Sequence, residues 1–511
     1  MRAWATLGGP LAWSLAGGVG ALVLAAALGG ASMALGGALV FLLLAGIALA
    51  WGRQPRRLLI AGLYFVAPID VSKAVVPPIT RFFSPGLYIT LGHVLLILLA
   101  ALWVLHRLFV LRRALPFTRV DALALAFLGW VCIRTIGSLQ GELATASAFT
   151  YGLAVLGFYV ASHALERPGD LRLALSAATA GLAAEAAWVA AQVATHSPLA
   201  LPGAKVAGTG EMVFFGGAGE AFRPSGFFIH PNSLADHMTL LIPPAFALLL
   251  LGRRRLAGSV WWTALAVLLV AWALLLVTLS RGGWAAALLG GAWVVWRFVR
   301  QRLLTSRHLA QMAVGAGIAL VALVAVYPQV LLRLTAPDER STESRLILND
   351  QAFTIIKAHP WLGVGYGGYN RAAYEYIAPA FANISQEYQE ALLQLVVHNH
   401  YLLVAAELGL PAMAFFVFML ARLVLMPRPW GGWREPTAFA VAAGLSGALV
   451  TQVLYLASDN FYADIRVFMI WLTAGTLQAL CLQHAVQADG APAHADGVPA
   501  PADGVPARGA A

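Results

Sequence analysis

One feature constrains this chain more than any other. Apolar stretches long enough to cross a bilayer recur from end to end, and arginine clusters fall in every second gap between them. The stretches run over about 10–30, 33–51, 58–69, 87–106, 120–138, 147–165, 171–194, 234–251, 259–279, 284–298, 309–327, 399–421, 437–457 and 465–483. A helix needs about 20 apolar residues to span hydrocarbon. The clusters are Arg53/Arg56/Arg57, Arg107/Arg112/Arg113, Arg167/Arg172, Arg253/Arg254/Arg255, Arg297/Arg300/Arg302/Arg307 and Arg422/Arg428/Arg434. Basic loops stay on the cytoplasmic side, so both termini are expected inside and the alternate loops outside. The fold expected is an all-α polytopic membrane protein with about 12–14 transmembrane helices.

Composition agrees. Hydrophobic residues make up 60% of the 511 and charged residues only 11%, against about 25% charged in soluble domains. The formal charge of +10 is carried mostly by the loop arginines, so it reports topology and not a nucleic-acid partner. The first apolar stretch could pass for a signal peptide. It continues through Trp51, however, and reads as a retained helical hairpin. Cys132 and Cys481 lie far apart in apolar runs, with neither a disulfide framework nor a zinc pattern.

The expected organisation is a transmembrane helical domain over 1–485, followed by a tail over 486–511. The tail repeats ADGAPA, ADGVPA and ADGVPA, which cannot bury a core and is expected to be disordered and cytoplasmic. Two external loops are long, at about 196–232 and 329–397. The second exceeds the usual loop range and argues for structure or function. Within it, SRLILNDQAFTIIKAHP has helical apolar spacing at Leu346, Phe353 and Ile356, which suggests an amphipathic helix over the membrane surface.

The external loops also carry arginine where arginine is disfavoured: Arg223, Arg281, Arg333, Arg340, Arg345 and Arg371. Guanidinium pairs bidentately with phosphate, so an anionic ligand is one explanation. Headgroup contact, or pairing with Asp338, Glu339 and Glu343, is the other. Arg281, in LSRGGW between two apolar spans, is held closest to the membrane face. GVGYGG at 363–368 matches a dinucleotide-binding spacing, but no strand–helix unit surrounds it, and the glycines read as a tight turn after His359-Pro360. No D-x-D and no H-E-x-x-H occurs. No metal or cofactor is expected, and a phosphate-handling site would have to use arginine in place of a metal.

VVHNHY puts His398, Asn399, His400 and Tyr401 where the long loop re-enters the membrane. Imidazole suits proton transfer near neutral pH. The same polar groups could instead satisfy helix-terminal amides, and the short motif leaves both readings open. A histidine base and an arginine anion clamp on one face together describe a transferase with a lipid-phosphate donor.

At this point the sequence resembles a family. FFIHPNSLADHM (227–238), TLSRGGW (278–284), ESRLILNDQAFTIIKAHPWLGVGYGGY (343–369) and HNHYLLVAAELGLP (398–411), in this order, are similar to the O-antigen ligase/polymerase superfamily. The resemblance implies a C-type, metal-independent, inverting glycosyltransferase with a large periplasmic loop containing helices, in the bacterial inner membrane. Its ligase branch implies transfer of O-antigen glycan from undecaprenyl pyrophosphate to a sugar hydroxyl of lipid A–core, in lipopolysaccharide biosynthesis. The family's essential histidine falls on His398 and its two key arginines on Arg281 and Arg345. Arg223 is a further substrate-binding candidate, and Asn399, His400 and Tyr401 complete the expected site.

Two rivals share the donor chemistry: an O-antigen polymerase and a protein O-oligosaccharyltransferase. A third, from another class, is a transporter for lipid-linked glycan. It would use intramembrane polar groups such as His93, Arg134, Glu185 and Gln192 as a pathway. The alternative is local pairing within the bundle, and the concentration of key charges in the external loops, away from the midplane, favours the enzyme.

Overall fold

The computed structural model describes residues 54–76, 87–139, 141–199, 213–216, 219–335, 339–428, 432–433, 435–459 and 465–488. The expected spans at 10–30 and 33–51, and the tail repeats from residue 489 onward, lie outside them.

The architecture is a helical membrane bundle, and seven of the described helices are long and apolar enough to cross a bilayer. The first half of the chain gives α1 (Pro55–Val66), α2 (Leu91–Leu105), α3 (Arg119–Ile136), α4 (Gly141–Ala164) and α5 (Pro168–Thr195). The next run is α6 (Pro231–Leu250), α7 (Gly258–Val277), α8 (Arg281–Arg300) and α9 (Ser306–Val326). The long loop folds as α10 (Gln329–Thr335), α11 (Glu339–Ala358), α12 (Tyr369–Glu375) and α13 (Gln386–Leu393). The chain then returns through α14 (His400–Leu408), α15 (Leu410–Val424), α16 (Pro436–Tyr455) and α17 (Ile465–Ala488). Residues 486–488, assigned from sequence to the tail, are therefore still helical.

Two short antiparallel hairpins, unexpected from the sequence, accompany the helices: β1 (Ser72–Val76) with β2 (Leu87–Thr90), and β3 (Val213–Gly216) with β4 (Gly219–Phe222). The start of the span expected at 87–106 is thus strand, and the helix begins at Leu91. There Thr90 and His93 close a reciprocal capping box.

Small residues let the central helices approach closely. A Cβ on Gly444 of α16 would lie 2.4 Å from Pro244 Cα of α6, so the two backbones nearly touch. At one end of the bundle a polar network ties helices together. Arg56 bonds Asp170 at 2.6 Å, His163 meets Asp121 at 2.9 Å, and Gln478 reaches Asp121 at 3.1 Å.

The long loop has its own hydrophobic core, formed by Ile347, Leu348, Ala352, Ile355, Tyr369, Phe381, Leu392, Val397 and Leu403. The three expected apolar positions of α11 divide between two faces. Ile356 is buried, but Leu346 and Phe353 are 65% and 48% exposed. The buried stripe is Ile347, Leu348, Gln351, Ala352, Ile355 and Ile356, set by the loop's own helices.

The stretch 399–421, read as one span, is two helices. Gly409 breaks it with φ +90°, and Pro411 opens α15. The carbonyls freed at the end of α14 are taken up by the glycine loop. Val364 N donates to Ala406 O at 2.9 Å, Gly365 N to Glu407 O at 3.0 Å, and Trp130 Nε1 to Leu408 O at 3.2 Å. In return Leu410 N donates to Pro360 O at 2.8 Å. A Cβ on Gly409 would sit 2.1 Å from Trp361 O, and one on Gly365 2.5 Å from Ser138 Cα. The glycines of 363–368 make the expected tight turn, and they clamp it onto α14.

Candidate active site

The site residues gather at the bundle end opposite the Arg56–Asp170 network. Four helix termini converge there: the N-termini of α6, α8 and α14 and the C-terminus of α16.

The end of α16 is the meeting point. His400 N donates to Leu456 O at 2.8 Å, and Tyr401 OH donates to Val453 O at 2.6 Å. Tyr455 OH donates to Asn232 O of α6 at 2.9 Å and lies 3.3 Å from Ser280 Oγ, the N-cap of α8. Ser458 faces Gly282, with its Oγ 3.2 Å from where a Gly282 Cβ would stand. Asp459 then pairs with Arg466 of α17 at 3.0 Å.

His398 sits in the turn between α13 and α14, and its Nδ1 is buried without a hydrogen-bond partner. Burial drives its imidazole below the ordinary value of 6.5. The Asp459 carboxylate opposes that shift, the guanidinium charges of Arg345 and Arg466 add to it, and the Val396 carbonyl pulls upward. The structure therefore brings His398 and Arg345 within electrostatic reach of one another. Asp459 and Arg466 also reach His400.

The other expected residues take varied positions. Arg345 is exposed on α11. Arg281 opens α8 directly after the Ser280 cap. Arg223 is half-buried, and its guanidinium is engaged: Nε donates to Thr278 O at 2.7 Å and NH2 to Asn232 Oδ1 at 2.9 Å. Asn399 is the N-cap of α14, accepting from Tyr401 N and Leu402 N at 3.1 and 3.2 Å. The capping reading of HNHY therefore holds for Asn399, while His398 remains outside the helix and buried at Nδ1.

Sequence reasoning missed His230, Tyr455, Asp459 and Arg466. His230 caps α6, its Nδ1 accepting from Asn232 N at 3.0 Å. Burial pushes its pKa down to about 4; Arg223 adds to this, and the charges of Asp459, Arg466 and His398 also reach it. The available signal was H-P-N opening an apolar run, a capped helix start with proline in its first turn. For Asp459 and Arg466 the signal was an acid and a base seven residues apart between two apolar runs.

The four polar groups of the transporter reading are all used locally. His93 caps α2. Arg134 donates to Leu362 O at 2.9 Å and Gly363 O at 3.3 Å. Glu185 bonds His237 at 2.7 Å, and Gln192 bonds the amide and carbonyl of Gly226 at 2.9 and 3.1 Å. Each group has a local partner, although His93 Nε2 and Glu185 Oε1 are buried without one.

Fold and site together define a multi-pass helical membrane protein with a cationic, histidine-bearing centre at one end of its bundle, under a folded loop. Residues 264–417, from α7 into α15, match the family model described as O-antigen ligase. The match covers under a third of the 511 residues and supports a relation to the O-antigen ligase superfamily over that segment. The match includes Arg281, Arg345 and His398, whereas Arg223, Tyr455, Asp459 and Arg466 fall outside it. A search of curated proteins finds no match.

Proposed function

We propose that the chain moves O-antigen glycan from undecaprenyl pyrophosphate to a sugar hydroxyl of lipid A–core. The observation that carries this reading is the convergence of His398, Arg345 and the Arg281 helix start at one bundle end. The arginine-rich loops mark the other end as cytoplasmic, which makes the site face the periplasm of an inner-membrane protein.

In this reading Arg281 and Arg345 hold the donor's pyrophosphate. The acceptor oxygen attacks the anomeric carbon from the opposite side, and the bond from that carbon to the pyrophosphate oxygen breaks. The bonding pair leaves with the pyrophosphate, whose new charge the guanidinium groups balance. His398, neutral because of its burial, takes the hydroxyl proton, and Asp459 stabilises the imidazolium that results. Configuration inverts. Arg223 serves differently from the sequence expectation: it fixes the turn that leads to Arg281. Both lipid substrates keep their chains in the bilayer.

The test is transfer by purified protein in detergent, in EDTA, from undecaprenyl-pyrophosphate-linked glycan to lipid A–core, with His398→Ala beside wild type. Glycan on lipid A–core from wild type alone supports the reading. Longer glycan on the polyprenyl carrier instead would make the chain the polymerase, with the same site.

A further inference from the structure

The turn that delivers Arg281 is held at three successive residues by three different elements. Leu279 is fully buried and left-handed, at φ +52°, a conformation that costs a non-glycine residue energy and persists only where its surroundings impose it. Thr278 O accepts from Arg223 Nε at 2.7 Å. Leu279 O accepts from Arg333 Nε of α10 at 3.1 Å. Ser280 Oγ, which caps α8, lies 3.3 Å from Tyr455 OH of α16.

We propose that Arg333 and Tyr455 are positioning residues, which hold the strained Thr278–Ser280 turn so that Arg281 meets the donor's pyrophosphate. This rests on the reading that Arg281 takes that group. It gives Arg333 a part that its charge alone does not suggest. Its Nε donates to a main-chain carbonyl, and the proposal assigns its part to that bond, which a neutral donor of similar reach can also make. Tyr455 contributes a hydroxyl that joins the starts of α6 and α8, so the ring without the hydroxyl cannot replace it.

The experiment measures undecaprenyl pyrophosphate binding without acceptor, and steady-state transfer, for Tyr455→Phe, Arg333→Leu and Arg333→Gln. Thermal unfolding in detergent is followed in parallel, and binding is read on the monodisperse fraction. Losing a buried hydrogen bond at the turn is expected to weaken donor binding about 10-fold in Tyr455→Phe and Arg333→Leu. Arg333→Gln should stay within about threefold of wild type, since an amide can still donate to Leu279 O. The acceptor KM and the acid limb of the pH profile should not move, because neither depends on this turn. Equal losses in Arg333→Gln and Arg333→Leu would overturn the proposal, since the charge itself would then be in use. Wild-type donor binding by Tyr455→Phe, or a shifted acceptor KM, would overturn it too. A wild type that binds the pyrophosphate lipid but transfers no glycan would sink the proposed function alone.

Discussion

At the scale of single residues, the proposed mechanism turns on His398. Its base form is favoured by burial, by Arg345 and by Arg466, and disfavoured by Asp459. A base must be neutral to accept a proton, so activity should fall only when pH drops below the ordinary histidine range. The acid limb of kcat/KM should therefore lie under 6.5. Arg345→Gln should move that limb upward, and Asp459→Asn should move it further down; a pH–rate profile of each variant checks both signs. Arg281→Ala and Arg345→Ala should each cost about 10²–10³ in kcat, measured under saturating donor. Stability follows the same logic. His398 and His230 both have folded pKa values below the unfolded 6.5, and His230 reaches about 4. The folded state binds fewer protons across that window, so stability should drop as pH falls from 6.5 toward 4. Unfolding temperature in detergent at graded pH checks it.

Elements show what the sequence could and could not convey. Hydrophobic length placed most helices within a few residues, because a span's apolar run is nearly its whole description. The break at Gly409 was not legible. An apolar run looks continuous whether or not a glycine at positive φ divides it, and that φ together with the facing carbonyl of Trp361 makes glycine obligatory. The buried face of α11 was not legible for a related reason. Leu346 and Phe353 have helical spacing, but the loop's own core claims the neighbouring stripe. Motif order pointed to His398, Arg281 and Arg345 as candidates. Tyr455 and Asp459 join the site only through tertiary contact, and no local pattern announces that. Gly409→Ala should destabilise the protein by more than about 2 kcal/mol, through a positive φ and a collision with backbone. Thermal unfolding would show this, and Gly129→Ala, which meets nothing within 4 Å, supplies the control.

Across the whole molecule, division of labour is plain. The bundle carries Arg281, and the folded loop carries Arg345 and His398. The two bodies meet where residues 360–365 bond residues 406–410. Those bonds run mostly between main-chain atoms, packed so closely that Gly363, Gly365 and Gly409 leave no room for a side chain. They fix the chain at both ends of the segment that bears His398. The segment then behaves as a loop of set contour between two pinned points. Its tolerance should be for altered composition and not for altered length. A one-residue insertion in the turn at 394–397 would shift the histidine along its path while every seam contact survived. A well-folded protein that transfers no glycan would be the expected result.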